Sequence, residues 1–129
     1  MINRLPQDQP WEVAYGYTKA VVAGPWVLVS GHTSFEAEDS VGQARAAFAD
    51  ALITAERVGA HREDVVRTRI FYTEEEHTDG IARAFKEVFG DQHPPASTMV
   101  RVAGLMLPQL KVEIELEAYL GGTSEGAAR

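Results

Sequence analysis

Two stretches near the carboxyl end decide the fold: PASTMVRVAGL at residues 95–105 and KVEIELEA at residues 111–118. The first is a proline-bounded turn followed by a β-branched run, which predicts a strand over residues 100–103. The second alternates charged and apolar residues, as a strand does when only one of its faces is covered. It predicts a closing strand over residues 110–120.

Strand alternation places the three glutamates of this closing strand, Glu113, Glu115 and Glu117, on one face and the apolar residues between them on the other. Taken alone, this pattern is typical of the solvated face of an outer strand. A general base requires a further condition, a carboxylate buried enough for its pKa to rise toward neutrality.

Three more segments have strand character upstream. Residues 17–23 and 26–30 are β-branched and aromatic runs separated by Gly24-Pro25, which predicts a hairpin. Residues 65–72 have the same character and predict a further strand.

Two helices separate these strands. From Val41 to Val58 apolar residues recur at three- and four-residue steps, which predicts a helix with Ser40 as its N-cap and Gly59 as its stop. A second amphipathic stretch contains Ile81 and Phe89 and lies between Asp79 and Gly90.

The resulting order is β-β-α-β-α-β-β, an α+β two-layer domain with a mixed sheet and two helices on one face. The sheet face opposite the helices also needs covering. The chain has more large side chains than one helix layer requires, which favours a buried subunit interface. The side chains in question are Tyr17, Trp26, Leu28, Tyr72 and Met99.

Length and composition limit the class of protein. A chain of 129 residues is predicted to be one domain, with residues 1–14 as an N-terminal extension and residues 121–129 as a flexible tail. The net charge of −7 disfavours nucleic acid as a partner, and no apolar run is long enough for a membrane span. Because there is no cysteine, disulfides and thiol catalysis are excluded, which fits a cytoplasmic protein.

Several short motifs, in order along the chain, resemble the RidA family, also called YjgF/YER057c/UK114. The resemblance extends from about residue 15 to residue 120. The motifs are Gly16-Tyr17 with Ala20-Val21, Val29-Ser30-Gly31-His32, Gln43, residues 60–68 and Pro95-Ala96-Ser97. It implies a chorismate-mutase-like fold and a homotrimer whose sheets form a central barrel. The resemblance also implies a hydrolase. Such an enzyme converts reactive enamines and imines to ketoacids and ammonia, without metal or cofactor, in a pocket between subunits.

The same resemblance implies roles for individual residues. Glu113 corresponds to the family's glutamate that activates or positions water, Tyr17 to its pocket tyrosine and Ser30 to its strand-end serine. Two polar anchors are replaced, because Ser97 stands where the family has the arginine that holds the substrate carboxylate, and Ala82 stands where it has an asparagine. A bidentate guanidinium–carboxylate pair cannot be reproduced by a serine hydroxyl.

The remaining candidates for substrate binding keep two interpretations each. His32 replaces the family's glutamine and could relay a proton near neutral pH or simply form hydrogen bonds at a strand end. Arg101 could replace the missing anion anchor or form a surface salt bridge. Thr98 lacks a neighbouring base that would make it a nucleophile, and the predicted pocket also includes Gly31 and Met99.

A metal site is not predicted, because His61, His77 and His93 lie in polar loops without ligand spacing. Three functions remain. The first is an enzyme acting on an imine, enamine or carbonyl compound other than the standard small imino acids. The second is a small-molecule-binding or regulatory trimer without turnover, and the third, disfavoured by charge, is an endoribonuclease of the L-PSP type.

Overall fold

A computed structural model describes residues 1–122, and it confirms the α+β class with one mixed six-stranded sheet. Most of the predicted tail at residues 121–129, namely residues 123–129, lies outside the described residues. The elements in chain order are β1 Ile2–Arg4, α1 Pro10–Tyr15, β2 Ala20–Ala23, β3 Trp26–His32, α2 Ser40–Arg57, β4 Val65–Tyr72, α3 Thr78–Phe89, β5 Ala96–Arg101 and β6 Val112–Tyr119. Two 3₁₀ turns, Arg62–Asp64 and Glu75–His77, precede β4 and α3.

The sheet order is β1-β2-β3-β6-β4-β5, and all neighbouring strands are antiparallel except β4 and β5. The predicted hairpin is present as β2 and β3, with Gly24 in the left-handed conformation at its turn. β1 and all but the last residue of α1 lie in the predicted N-terminal extension, and β1 is an edge strand of the sheet. β5 begins at Ala96, four residues earlier than predicted, because it pairs with β4 from Arg67 onward.

The alternation of β6 divides the sheet as predicted. Val112, Ile114, Leu116 and Ala118 are buried under the helices, while the glutamates between them face the other side and are partly exposed. The core continues through an alanine-rich face of α2 to Phe48, whose ring packs edge-on against Phe85 and Phe89 at centroid distances of 5.8 and 6.0 Å.

The ends of α2 show why sequence boundaries shift by a residue. The N-cap is Asp39, whose carboxylate accepts a hydrogen bond from the Gly42 N–H at 2.9 Å. Ser40, predicted as the cap, is instead the first helical residue; it is buried and donates to Glu74 at 2.6 Å. Gly59 follows the helix in the left-handed conformation, as predicted for a stop.

The open face of the sheet combines aromatic and charged side chains. Trp26 and Tyr119 are cross-strand neighbours and pack edge-on with ring centroids 5.0 Å apart, and Leu28 lies beside them. Arg69 donates to Glu115 at 3.2 Å and to Glu117 at 2.8 Å on the same face.

Two of the side chains predicted to cover this face belong to the other side. Tyr72 is buried under the helices, with its hydroxyl 2.8 Å from that of Thr78. Met99 is the register partner of the buried Ile70 and packs against the core. Among residues 1–122, no helix is long and apolar enough to cross a membrane.

Candidate functional site

The turn between α1 and β2 positions Tyr17. Gly16 adopts φ of 75°, which ends α1 and reverses the chain. The Tyr17 N–H then donates to the Glu12 carbonyl at 3.1 Å, and the Gln7 side chain donates to the Tyr17 carbonyl at 2.9 Å. Burial, with a smaller contribution from the Glu12 charge, raises the pKa of the Tyr17 phenol, so it is a neutral donor at pH 7.

The end of β3 brings Ser30 and Gly31 to the same place. The Ser30 hydroxyl donates to the Thr18 carbonyl at 2.6 Å, which ties β3 to the Tyr17 turn. The pairing of β3 with β6 is irregular between Val29 and His32, and this break turns Gly31 toward Glu113. A Cβ on Gly31 would lie only 2.0 Å from Glu113 Oε2, so the carboxylate occupies the space that a side chain would fill.

Glu113 is half-buried on the open face of β6, beside this glycine. Burial, with a smaller contribution from the Glu115 charge, raises the pKa of its carboxyl above the ordinary value. Glu115 and Glu117 differ from it because both are engaged by Arg69. Glu113 is therefore distinct among the three glutamates of the strand in both contact and electrostatics.

His32 uses both ring nitrogens internally. Nδ1 lies 2.6 Å from the Ser30 carbonyl, which can only accept, so Nδ1 carries the proton. Nε2 is then free to accept from the Thr54 hydroxyl at 2.7 Å. Burial lowers the pKa of His32, so the imidazole is neutral at pH 7 and links β3 to α2. Of its two interpretations, this geometry matches the histidine that forms hydrogen bonds at a strand end.

A cavity of about 310 Å³ lies against these residues. Tyr17, Gly31 and His32 form one wall, and the α2 residues Asp50 and Thr54 face them. The lining is completed by Trp11, Lys19, Thr33, Ile53 and Arg57. A second recess, of about 650 Å³, lies beneath the N-terminal segment and includes Ser30. Tyr17 lines both spaces.

An ionic network backs this cavity and was not predicted. Lys19 donates to Asp8 at 2.7 Å, and Arg57 donates to the other Asp8 oxygen at 3.2 Å. The Lys19 hydrogen bond is the main cause that lowers the pKa of Asp8 to about 2. Glu12 is fully buried; within residues 1–122 its carboxylate has no hydrogen bond, and Lys19 Nζ lies 3.6 Å from it.

The signal for this network was present in the sequence but weak. Proline at the first helical position followed by an acid in the first turn, as in Pro10-Trp11-Glu12, is an N-terminal helix pattern. Nothing in the sequence links Asp8 to Lys19 and Arg57, because the three residues meet only after α2 packs near the N-terminal segment.

The β5 candidates form a separate group. Ser97 pairs in register with the buried Thr68, and the Thr68 hydroxyl donates to the Ser97 oxygen at 2.8 Å. Met99 and Arg101 follow Ser97 on the same face, whereas Thr98 faces the other side and accepts from Arg67 at 3.4 Å. β5 and β3 are separated by β6 and β4, and three interstrand spacings put the Ser97 and Gly31 backbones at least about 14 Å apart.

Within one chain, Ser97 and Glu113 also face opposite sides of the sheet. Glu113 pairs with Phe71, which lies three residues along β4 from Thr68, the partner of Ser97, and therefore on the opposite face. The structure therefore brings together Tyr17, Ser30, Gly31, His32 and Glu113, and it does not bring Ser97, Met99 or Arg101 to them in the same chain.

One acidic cluster lies elsewhere. Side-chain atoms of Glu74, Glu76 and His77 that could ligate a metal lie within 4.8 Å of one another. Glu74 already accepts from Ser40 and lies 3.4 Å from the Lys111 ammonium. Glu74 Oε1 therefore already has a hydrogen-bond donor and a cation beside it.

The chain is a small α+β protein with a mixed sheet, two helices on one face of that sheet and a candidate site at the end of β3. Its similarity to known proteins identifies the family. A family sequence profile described as Endoribonuclease L-PSP matches residues 7–120. The chain therefore belongs to this family, the group also called RidA or YjgF/YER057c/UK114.

Three relatives match this chain over most of its length, two of them by structure. The uncharacterised protein SCO2049 of Streptomyces coelicolor is 33% identical over 126 residues, covering 93% of each chain. Rv2704 of Mycobacterium tuberculosis, described as a member of the YjgF/YER057c/UK114 family, has a crystal structure that is 35% identical with a TM-score of 0.87. That likeness covers 93% of this chain and 100% of Rv2704. PA3499 of Pseudomonas aeruginosa, a protein of unknown function, is 26% identical with a TM-score of 0.84 and 99% coverage of both chains.

Proposed function

We propose that this protein is a hydrolase of a small imine or enamine, in which Glu113 handles the attacking water at a pocket shared between subunits of a cytoplasmic homotrimer. The observation that carries this proposal is the carboxylate of Glu113, half-buried against Gly31 and with its pKa raised by that burial. A carboxylate in this state is a stronger base than an exposed one, because desolvation disfavours its charged form.

The proposed chemistry balances without a cofactor. The water oxygen bonds to the carbon of the C=N group while Glu113 accepts a proton from it. The protonated Glu113 returns that proton to the nitrogen, which gives a neutral carbinolamine. Glu113 then takes the hydroxyl proton and passes it to the same nitrogen as the C–N bond breaks and the C=O bond forms. Ammonia or an amine leaves, a carbonyl compound remains, and Glu113 is regenerated as a carboxylate.

The trimer is supported by the incomplete state of the pocket in a single chain. Trp26, Leu28 and Tyr119 expose apolar surface on the open face, which a neighbouring sheet would cover. Ser97 lies too far from Gly31 to share a pocket with it except across a subunit boundary. Light scattering is expected to give the mass of three chains, and a particle of 14.1 kDa at micromolar concentration would exclude this assembly.

The substrate is proposed to differ from the small imino acids of the arginine-bearing relatives. Ser97 offers one hydroxyl, which already accepts from Thr68, and it has no second donor for a bidentate carboxylate contact. Loss of such a pair costs a carboxylate substrate about 2–5 kcal/mol where the rest of the site is unchanged. We therefore expect weak or absent hydrolysis of 2-iminopropionate, measured as ketoacid release. Ser97→Arg is expected to restore part of that activity, and full activity without it would show another anchor.

The deciding experiment uses imines that lack a carboxylate, formed in situ from small aldehydes and amines. Glu113→Gln is expected to abolish the enzyme-dependent hydrolysis while the trimer persists. Glu115→Gln is the matched control on the same face of β6, and it should retain activity. Equal loss in both variants would assign the effect to packing. If no imine is turned over, the hydrolase fails and the alternative of a small-molecule-binding or regulatory trimer remains.

A further inference from the structure

Some of the charged side chains that line the cavity between α2 and the end of β3 are paired and one is not. Its ionic lining residues are Lys19, Arg57 and Asp50. Both cations are already occupied, since Lys19 and Arg57 donate to opposite oxygens of Asp8, and Glu12 lies behind Lys19 at 3.6 Å. Of the charged side chains that line the cavity, both cations are therefore paired with Asp8, and Asp50 is the acidic one.

Asp50 carries the uncompensated charge. Within residues 1–122 its carboxylate makes no hydrogen bond or salt bridge. It lies one helical turn before Thr54 and two turns before Arg57, so all three share the cavity-facing side of α2. Its charge acts on His32, but burial keeps that imidazole neutral, so His32 does not become its counter-ion.

The rest of the lining suits the apolar part of an organic molecule. Trp11 and Tyr17 supply two aromatic side chains, and Ile53 on α2 adds an aliphatic one. Aromatic faces attract cations through the ring quadrupole. Glu113 itself does not line the cavity, but Gly31 does and contacts Glu113, so Gly31 stands between a molecule held here and the proposed base.

We propose that this cavity binds a small organic cation, with an ammonium or protonated imine nitrogen at Asp50 and an apolar body against Trp11 and Tyr17. This inference rests on the proposed function and names its substrate class, a cationic amine-derived compound instead of an imino acid. A carboxylate ligand would meet the unpaired Asp50 and find both cations engaged. A divalent metal would find one free carboxylate, too few oxygen ligands for a stable site.

The test compares three probes of similar shape and different charge: benzylammonium, benzyl alcohol and benzoate. Calorimetry at neutral pH is expected to rank their affinities in that order, and ¹H–¹⁵N spectra should show the Trp11 indole N–H among the shifted signals. Asp50→Asn should weaken benzylammonium about tenfold, as for loss of a charge-assisted contact, and leave benzyl alcohol unchanged.

Glu56→Gln is the matched control, because it removes the same charge from an exposed position on α2 outside the cavity lining. If the two substitutions weaken benzylammonium binding equally, the effect comes from the overall charge of the protein, and the proposed site is wrong. Benzoate binding as tightly as benzylammonium, or no saturable binding at millimolar concentrations, would also overturn it.

The two proposals fail separately. Glu113→Gln should retain benzylammonium binding, because Glu113 does not form the ammonium contact. If the probe ranking holds but no imine is hydrolysed, the cation site stands and the hydrolase falls. If Glu113-dependent hydrolysis is found without benzylammonium binding, the hydrolase stands and the cation site falls.

Discussion

Gly31→Ala is the substitution that tests the Glu113 assignment most directly. The new Cβ would lie 2.0 Å from Glu113 Oε2, 2.8 Å from its Cδ and 3.1 Å from its Cγ. The Gly31 backbone lies outside the left-handed region, so alanine is compatible with its conformation. The conflict is therefore with the end of one flexible side chain, and Glu113 is what must move.

The size of this movement follows from ordinary contact distances. To reach about 3.4 Å from the new methyl, the Oε2 atom must move by at least about 1.4 Å. A rotamer change of this kind costs about 0.5–1.5 kcal/mol, so the fold should persist with a Tm lower by a few degrees. A displacement of about 1 Å in a reacting group lowers turnover by about 10²-fold.

The assay measures hydrolysis of the best imine substrate beside thermal unfolding of the same preparations. Gly31→Ala is expected to lose about 10²-fold in kcat/KM with little loss of stability. Gly104→Ala is the control, since a Cβ there meets no atom within 4 Å. A Gly31→Ala protein that is folded and fully active would refute the role of the Glu113 carboxylate in its present position.

Three further substitutions have signs or sizes set by the structure. Glu113→Gln should raise the free energy of unfolding at neutral pH. Burial raises the pKa of Glu113, so its ionisation opposes folding as pH rises above about 4.5. In urea titrations the gain should vanish below that pH. For His32, burial lowers the folded pKa, so its contribution to stability is present above about 6.5 and is lost as pH falls; His32→Gln should flatten that part of the stability–pH curve, and an unchanged curve would contradict it. Phe48→Ala should cost about 3–5 kcal/mol in chemical unfolding, since the ring is fully buried between Phe85 and Phe89, and a cost below about 1 kcal/mol would contradict this packing.

The elements that sequence predicted well are those with a strong hydrophobic period. The predicted strand at residues 65–72 coincides with β4, and β6 shows the expected alternation of buried and partly exposed residues. β1 was missed because its three residues are all exposed, and only its pairing with β2 makes it a strand. The start of β5 was misplaced because Ala96, Ser97 and Thr98 have no apolar period, and parallel pairing with β4 defines them.

The sequence predicted which residues belong to the site better than it predicted how they are arranged. Family motifs pointed to Tyr17, Ser30 and Glu113, but the contact of Glu113 with Gly31 depends on an irregular pairing that no local pattern encodes. The network of Asp8, Lys19 and Arg57 joins residues 11 and 49 positions apart along the chain. Such long-range ionic contacts arise from tertiary packing, and for that reason the charge of the cavity was not foreseen.

The distance between Glu113 and Ser97 within one chain also has a consequence for trimers that mix two inactive variants of the protein. In the proposed trimer each pocket joins the Glu113 side of one subunit to the Ser97 side of the next. A copy lacking Glu113 and a copy blocked at Ser97 are each inactive alone. In any mixed ring, one junction combines the intact half of each and restores a working pocket. Two alleles that fail separately would then complement each other in the same cell, whereas two alleles damaged on the same half would not.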